Sequence, residues 1–98
     1  MRFEFKDKAL LLLYTEEKNA HRYPPGVVEA FFDVMAIIAS ATSEADIRAF
    51  KGLHFEKLSG NRKGQGSLRL NDQYRLIVQV EKDEQSKVLW IIEIVDYH

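Results

Sequence analysis

Cysteine is absent from the 98 residues, which excludes disulfides, zinc–thiolate sites and a cysteine nucleophile. Long apolar runs are also missing. No run exceeds six residues; the one over residues 9–14 stops at Thr15-Glu16-Glu17 and is too short for a membrane span or a signal-peptide core, so a cytoplasmic chain is expected. No repeat, low-complexity stretch or linker interrupts the sequence, and one domain over residues 1–98 follows. There is no phosphate loop, dinucleotide fingerprint or HExxH, and no serine sits in a nucleophile elbow. His21, His54 and His98 have no histidine partner one helical turn away, so neither a metal nor another cofactor is expected.

What is present is globular in composition, with 46% hydrophobic and 30% charged residues. A chain of this length buries about two thirds of its surface on folding, enough for one core without staples. The net charge of −1 hides an uneven distribution. Between Arg48 and Arg75 stand seven Lys/Arg and two acids, whereas the remainder of the chain is acidic. Such a protein has no global attraction to nucleic acid but can carry a local basic face.

Apolar spacing predicts a helix over residues 6–19, with Phe5, Ala9, Leu12 and Leu13 on its stripe. Tyr23-Pro24-Pro25-Gly26 breaks it, and a second helix over 25–40 starts with Pro25 in its first turn. Ala36, Ala39 and Ala41 suit close packing of the two helices. Thr42 or Ser43 caps a short third helical turn. After Gly52 the period drops from 3.6 to 2. Strands are predicted over 52–58, 67–70, 74–81 and 88–95, the last apolar on both faces except at Glu93. Residues 2–5 alternate as a short strand or a lead-in. The predicted class is therefore α+β: two N-terminal helices on one face of a mainly antiparallel four-stranded sheet.

Alternation places Arg69 and Arg75 on the solvated face of that sheet, away from the helices. His54 falls on the preceding strand, and Asp96-Tyr97-His98 follows the last one. Arginines, histidines and a tyrosine on one sheet face suit metal-free RNA cleavage. That reaction needs a base for the 2′-hydroxyl, cations for the charge growing on phosphate and an acid for the leaving oxygen. An aromatic ring can stack on a base and hold the strand. His98, His54 and Asp96 are the candidate bases. Each residue also has an ordinary role open to it: the arginines as solubilising strand charges, His54 as a half-exposed strand residue, residues 96–98 as a frayed end.

Three stretches carry a family resemblance: Lys57-Leu58-Ser59-Gly60-Asn61-Arg62-Lys63-Gly64-Gln65, then Ser67-Leu68-Arg69-Leu70-Asn71-Asp72-Gln73-Tyr74-Arg75-Leu76, and Glu93-Ile94-Val95-Asp96-Tyr97-His98. Together they resemble the HigB branch of the RelE/ParE toxin superfamily. Gly66 departs from the pattern, standing where relatives often carry an aromatic residue. The resemblance implies a bacterial type II toxin that cuts messenger RNA on the ribosome. A HigA-like helix-turn-helix antitoxin would hold it inactive, and operator DNA would be reached only through that antitoxin. It implies His54, Arg75, Asp96, Tyr97 and His98 as the catalytic set, with Lys57, Arg62, Lys63 and Arg69 contacting RNA. In that scheme His98 and His54 share proton transfer, Arg75 stabilises the transition state, Tyr97 positions the nucleotide and Asp96 orients His98 or sets its protonation. Two other readings stand beside it: a ParE-like toxin that poisons DNA gyrase without catalysis, and an inactive relative kept as a co-repressor.

Overall fold

The computed structural model describes residues 1–82 and 86–96. Strand β1 (Phe3–Phe5) leads into helix α1 (Lys8–Glu16), followed by α2 (Val27–Ser40) and the short α3 (Glu44–Ala49). Strands β2 (Glu56–Lys57), β3 (Gly66–Arg69), β4 (Tyr74–Lys82) and β5 (Lys87–Asp96) complete the described chain. The sheet order is β1-β5-β4-β3-β2. Neighbours run antiparallel except β1, which lies parallel to β5 with Phe3 opposite Leu89. The α+β class and the helical layer are as predicted, but the sheet has five strands rather than four, because residues 3–5 pair instead of serving as a lead-in.

Local chemistry accounts for the helix ends. The Asp7 carboxylate accepts from the Ala9 N–H at 2.8 Å and caps α1. Glu17 closes that helix in the left-handed region, its N–H returning to the carbonyls of Leu12 and Leu13. Gly26, at φ +85°, is the N-cap of α2 and supplies a backbone turn that only glycine adopts cheaply. The second helix therefore begins at Val27, and Pro25 lies outside its first turn. Ser43 caps α3, and Asp46 accepts in return from the backbone and hydroxyl of Thr42 at 2.9 and 2.5 Å.

The core lies between the helices and one face of the sheet. From α2 it takes Val27, Phe31, Val34, Met35 and Ile38, a stripe at helical spacing. From the sheet it takes Leu68, Leu76, Val78, Leu89 and Ile91. Phe3, Phe5, Tyr14, Phe31 and Phe32 form a continuous aromatic seam with ring centroids 5.5–6.4 Å apart. Two details of the predicted packing are corrected. Helix α1 buries Leu10 and Leu13 while Ala9 is exposed, and Ala36 and Ala39 face solvent rather than a second helix.

A bulge in β5 decides which side chains reach the other face. Ile77 pairs with Glu93 and Val78 with Ile91, so Ile92 is an extra residue. The alternation shifts there: Leu89 and Ile91 point into the core, and so does Ile94, three positions on. Glu93 and Val95 are thereby turned to the helix-free face.

Candidate active site on the open sheet face

In an antiparallel ladder, residues directly opposite share a face. Arg69 lies opposite Arg75 and Arg75 opposite Val95; in the next row Ser67 lies opposite Ile77 and Ile77 opposite Glu93. Both rows stand on the open face, since Leu68, Leu76 and Ile94 between them belong to the core side. Two arginines placed directly across a ladder repel. Each is answered locally: Arg69 forms an ion pair with Asp72, and Arg75 is enclosed in hydrogen bonds.

The sequence reading left Arg75 in solvent with Arg69. The face is right but the solvation is not, because Arg75 is only 8% exposed. Its Nε donates to Ser67 Oγ at 2.8 Å, and its Nη2 donates to the Ser67 carbonyl at 3.3 Å and to the His54 carbonyl. The cause lies in residues 51–55, where a strand was predicted from 52 onwards. The chain instead makes a 3-10 turn at Lys51–Leu53 that drives Leu53 into the core. His54 then reverses direction in the left-handed region, at φ 45° and ψ 54°. This turns its carbonyl onto Arg75 and leaves the residue exposed, off any strand. Pairing resumes only at Glu56–Lys57.

Beside this turn the Phe55 ring lies on Gly66, where a Cβ would meet Phe55 Cε2 at 2.5 Å. The aromatic ring at this point of the sheet thus comes from another segment. Arg48 of α3 stacks over the same ring at 4.8 Å.

The remaining expected site residues divide. Arg62, in the turn Gly60–Arg62, reaches over the open face to Glu93 at 3.4 Å and donates to Gln65 Oε1 at 3.1 Å. Both members of the Arg62–Glu93 pair are more than a third exposed, so the bridge adds little stability. Lys57 and Lys63 are not on this face. They line a cleft of about 400 Å³ on the helix side, with Arg48, Phe55, Val78 and Val80. Asp96 ends β5 opposite Tyr74, on the core-side parity, and accepts from Gln73 Nε2 at 3.1 Å. Tyr97 and His98 lie outside the described residues. The open face therefore gathers Arg62, Arg69, Arg75 and the backbone of His54. It also includes Ser67, which the sequence reading passed over; the available signal was its alternation with Arg69 on β3. Among the described residues, no group of three or more His, Asp or Glu side chains comes together to hold a metal, and no helix is long and apolar enough to cross a membrane.

Glu44, which also lines the cleft, is held between Arg48 at 2.9 Å and Lys87 at 3.3 Å. Burial pushes its carboxyl up, but hydrogen bonds from Arg48 and Lys87 outweigh that and hold its pKa below the ordinary value. Its contribution to stability is therefore complete above the ordinary carboxylate range and fades as pH falls through the lowered value. Urea midpoints measured from neutral pH down to about pH 3 should show this loss, and Glu44→Gln should remove that part of the slope. An identical slope in the variant would assign the acid sensitivity to other carboxylates.

Residues 3–98 match the family model described as the RelE-like toxin of type II toxin–antitoxin system HigB. The chain belongs to the HigB-like toxins. It is 43% identical over 79 residues to Toxin HigB-1 of Vibrio cholerae serotype O1, covering 81% of this chain and 83% of that protein. Solved structures support the fold at lower identity. The YoeB/ParE toxin from Agrobacterium tumefaciens aligns over 100% of both chains with a TM-score of 0.59 and 15% identity. YafQ from E. coli aligns with a TM-score of 0.60 and 13% identity, over 98% of this chain and 93% of its own. The YoeB–YefM complex from Staphylococcus aureus gives 0.56 and 19%, over 100% and 97%. As a HigB-like protein the chain is the toxin of a two-component system whose other component is an antitoxin.

Proposed function

We propose that this HigB-like toxin is a cytoplasmic, ribosome-dependent endoribonuclease that cuts messenger RNA without a metal, by attack of a 2′-hydroxyl on the adjoining phosphate. The observation that carries the reading is Arg75: a nearly buried guanidinium on the open sheet face, fixed by Ser67 and the His54 backbone and facing Arg69 across the ladder. A cation held in place before the reaction stabilises charge developing on phosphate with no reorganisation cost. His54 and His98 share the proton transfers, Tyr97 positions the nucleotide and Asp96 orients His98. Arg62 and Arg69 contact the RNA on the open face, and Lys57 and Lys63 contact it from the edge beside β2. The ribosome presents the message, since so small a basic face holds free RNA weakly. A HigA-like antitoxin neutralises the toxin, and operator DNA is bound only through that antitoxin.

Controlled expression of the wild-type chain and of a Tyr97-His98 deletion, with mapping of messenger RNA 5′ ends, tests this reading. Growth arrest with new ends inside translated messages, both lost in the deletion, is the expected result. Arrest with broken DNA and no new ends would make the chain a gyrase poison. No arrest would leave a co-repressor.

A further inference from the structure

Among the described residues, the buried polar and charged side chains are Ser67, with no exposed surface, and Arg75. Each is the other's partner. A serine hydroxyl is costly to bury unless bonded, and a guanidinium far more so. Their pairing is built on the β3–β4 register. Ser67 lies opposite Ile77, one row from the Arg69–Arg75 pair and on the same face, so its hydroxyl stands beside the arginine stem rather than beyond its tip.

The Ser67 contacts fall on one edge of the guanidinium. Nε and Nη2 share that edge, and Ser67 takes both: Oγ accepts from Nε at 2.8 Å and the carbonyl accepts from Nη2 at 3.3 Å. The His54 carbonyl accepts from Nη2 as well. An arginine presents its donors in a rigid planar fork, so fixing one edge fixes the plane and the direction of the other. The two backbone carbonyls hold Nη2. The Oγ contact adds a side-chain hold on Nε, the second nitrogen of that edge.

We infer that Ser67 is a positioning residue, whose hydroxyl sets the plane of the Arg75 guanidinium and so aims it at the scissile phosphate. The aim rests on the ribonuclease reading; the hold on Arg75 does not. A hydroxyl that merely satisfied a buried cation would affect stability alone. One that aims the cation affects the maximal rate with binding unchanged, and only while residue 75 has a fork to aim.

Four proteins test this: wild type, Ser67→Ala, Arg75→Lys and the double variant. They are compared in single-turnover cleavage of ribosome-bound message, with thermal midpoints and the solvent exchange of the Arg75 Nε–H followed by NMR. Ser67→Ala should lower the maximal rate about 10- to 100-fold at unchanged half-saturating ribosome concentration. Its Arg75 Nε–H should exchange at least about tenfold faster, since the proton loses its buried acceptor. In the Arg75→Lys background, which has no Nε–H, the same change should cost nothing further. An unchanged rate in Ser67→Ala, or an equal loss in both backgrounds, overturns the inference. If the wild type cuts no ribosome-bound message, the ribonuclease reading fails on its own. The exchange comparison still decides the hold: faster exchange in Ser67→Ala upholds it and equal exchange overturns it. Should alanine prevent folding, Ser67→Cys supplies a weaker acceptor in a similar volume, with the same readings required.

Discussion

Replacing Arg75 with alanine should lower message cleavage about 100-fold or more while leaving a folded protein. The argument rests on what the side chain does in two places. At the open face it offers a positive charge already in position, the kind of group whose removal costs a transition state most. Inside the sheet it satisfies Ser67 Oγ and the carbonyls of Ser67 and His54, and leaving these without their donor should cost about 1–3 kcal/mol of stability. A domain of this size tolerates that loss. Single-turnover cleavage and a urea midpoint on the same preparation separate the two effects. Arg75→Lys should fall between wild type and alanine, since it keeps the charge but not the fork. Full cleavage by the alanine variant, with its fold intact, would remove Arg75 from the reaction.

Phe31→Ala should abolish toxicity by the opposite route. Phe31 has no exposed surface and meets Tyr14 and Phe32 with ring centroids 6.4 and 5.6 Å away, at the α2 end of the seam joining α1, α2 and β1. Truncating a buried phenylalanine costs about 3–5 kcal/mol, and more where the surroundings cannot collapse into the void. Set against a typical margin of about 5–15 kcal/mol, that is enough to shift the chain toward unfolded or degraded forms in the cell. The check is a lowered urea midpoint together with reduced steady-state abundance. Arg75→Ala, by contrast, should accumulate normally. A Phe31→Ala protein as stable as wild type would mean that the seam closes over the gap.

The contrast between these sites also marks what the residues alone could reveal. Alternation at Leu68, Leu76 and Val78 identified the core side of β3 and β4, and through it the shared face of Arg69 and Arg75. The stripe from Val27 to Ile38 identified the buried side of α2 in the same way. Both are local periods, legible wherever one face packs against a core. The burial of Arg75 was not legible, because it rests on the carbonyl of His54, 21 residues upstream, turning onto the guanidinium. Nor was the turn at Lys51–Leu53, where alternating residues resemble a strand and nothing marks His54, a residue with a Cβ, as left-handed. The first strand stayed open between strand and lead-in for a related reason. Three residues carry too short a period, and a parallel partner in β5 leaves no hairpin signal between them. The expected catalytic set drew on family resemblance, and sheet parity sets Asp96 on the side opposite Arg75.

That parallel pairing has a consequence for how the toxin comes into being. Phe3 can find Leu89 only after every other strand of the sheet has been synthesised, whereas β4 and β5 are consecutive in the chain. Contacts this distant in sequence close late and slowly. β4 and β5 can therefore pair as soon as both have left the ribosome, while β1 waits for the strand that is made last of the five. The aromatic seam that Phe3 and Phe5 complete closes only when they arrive.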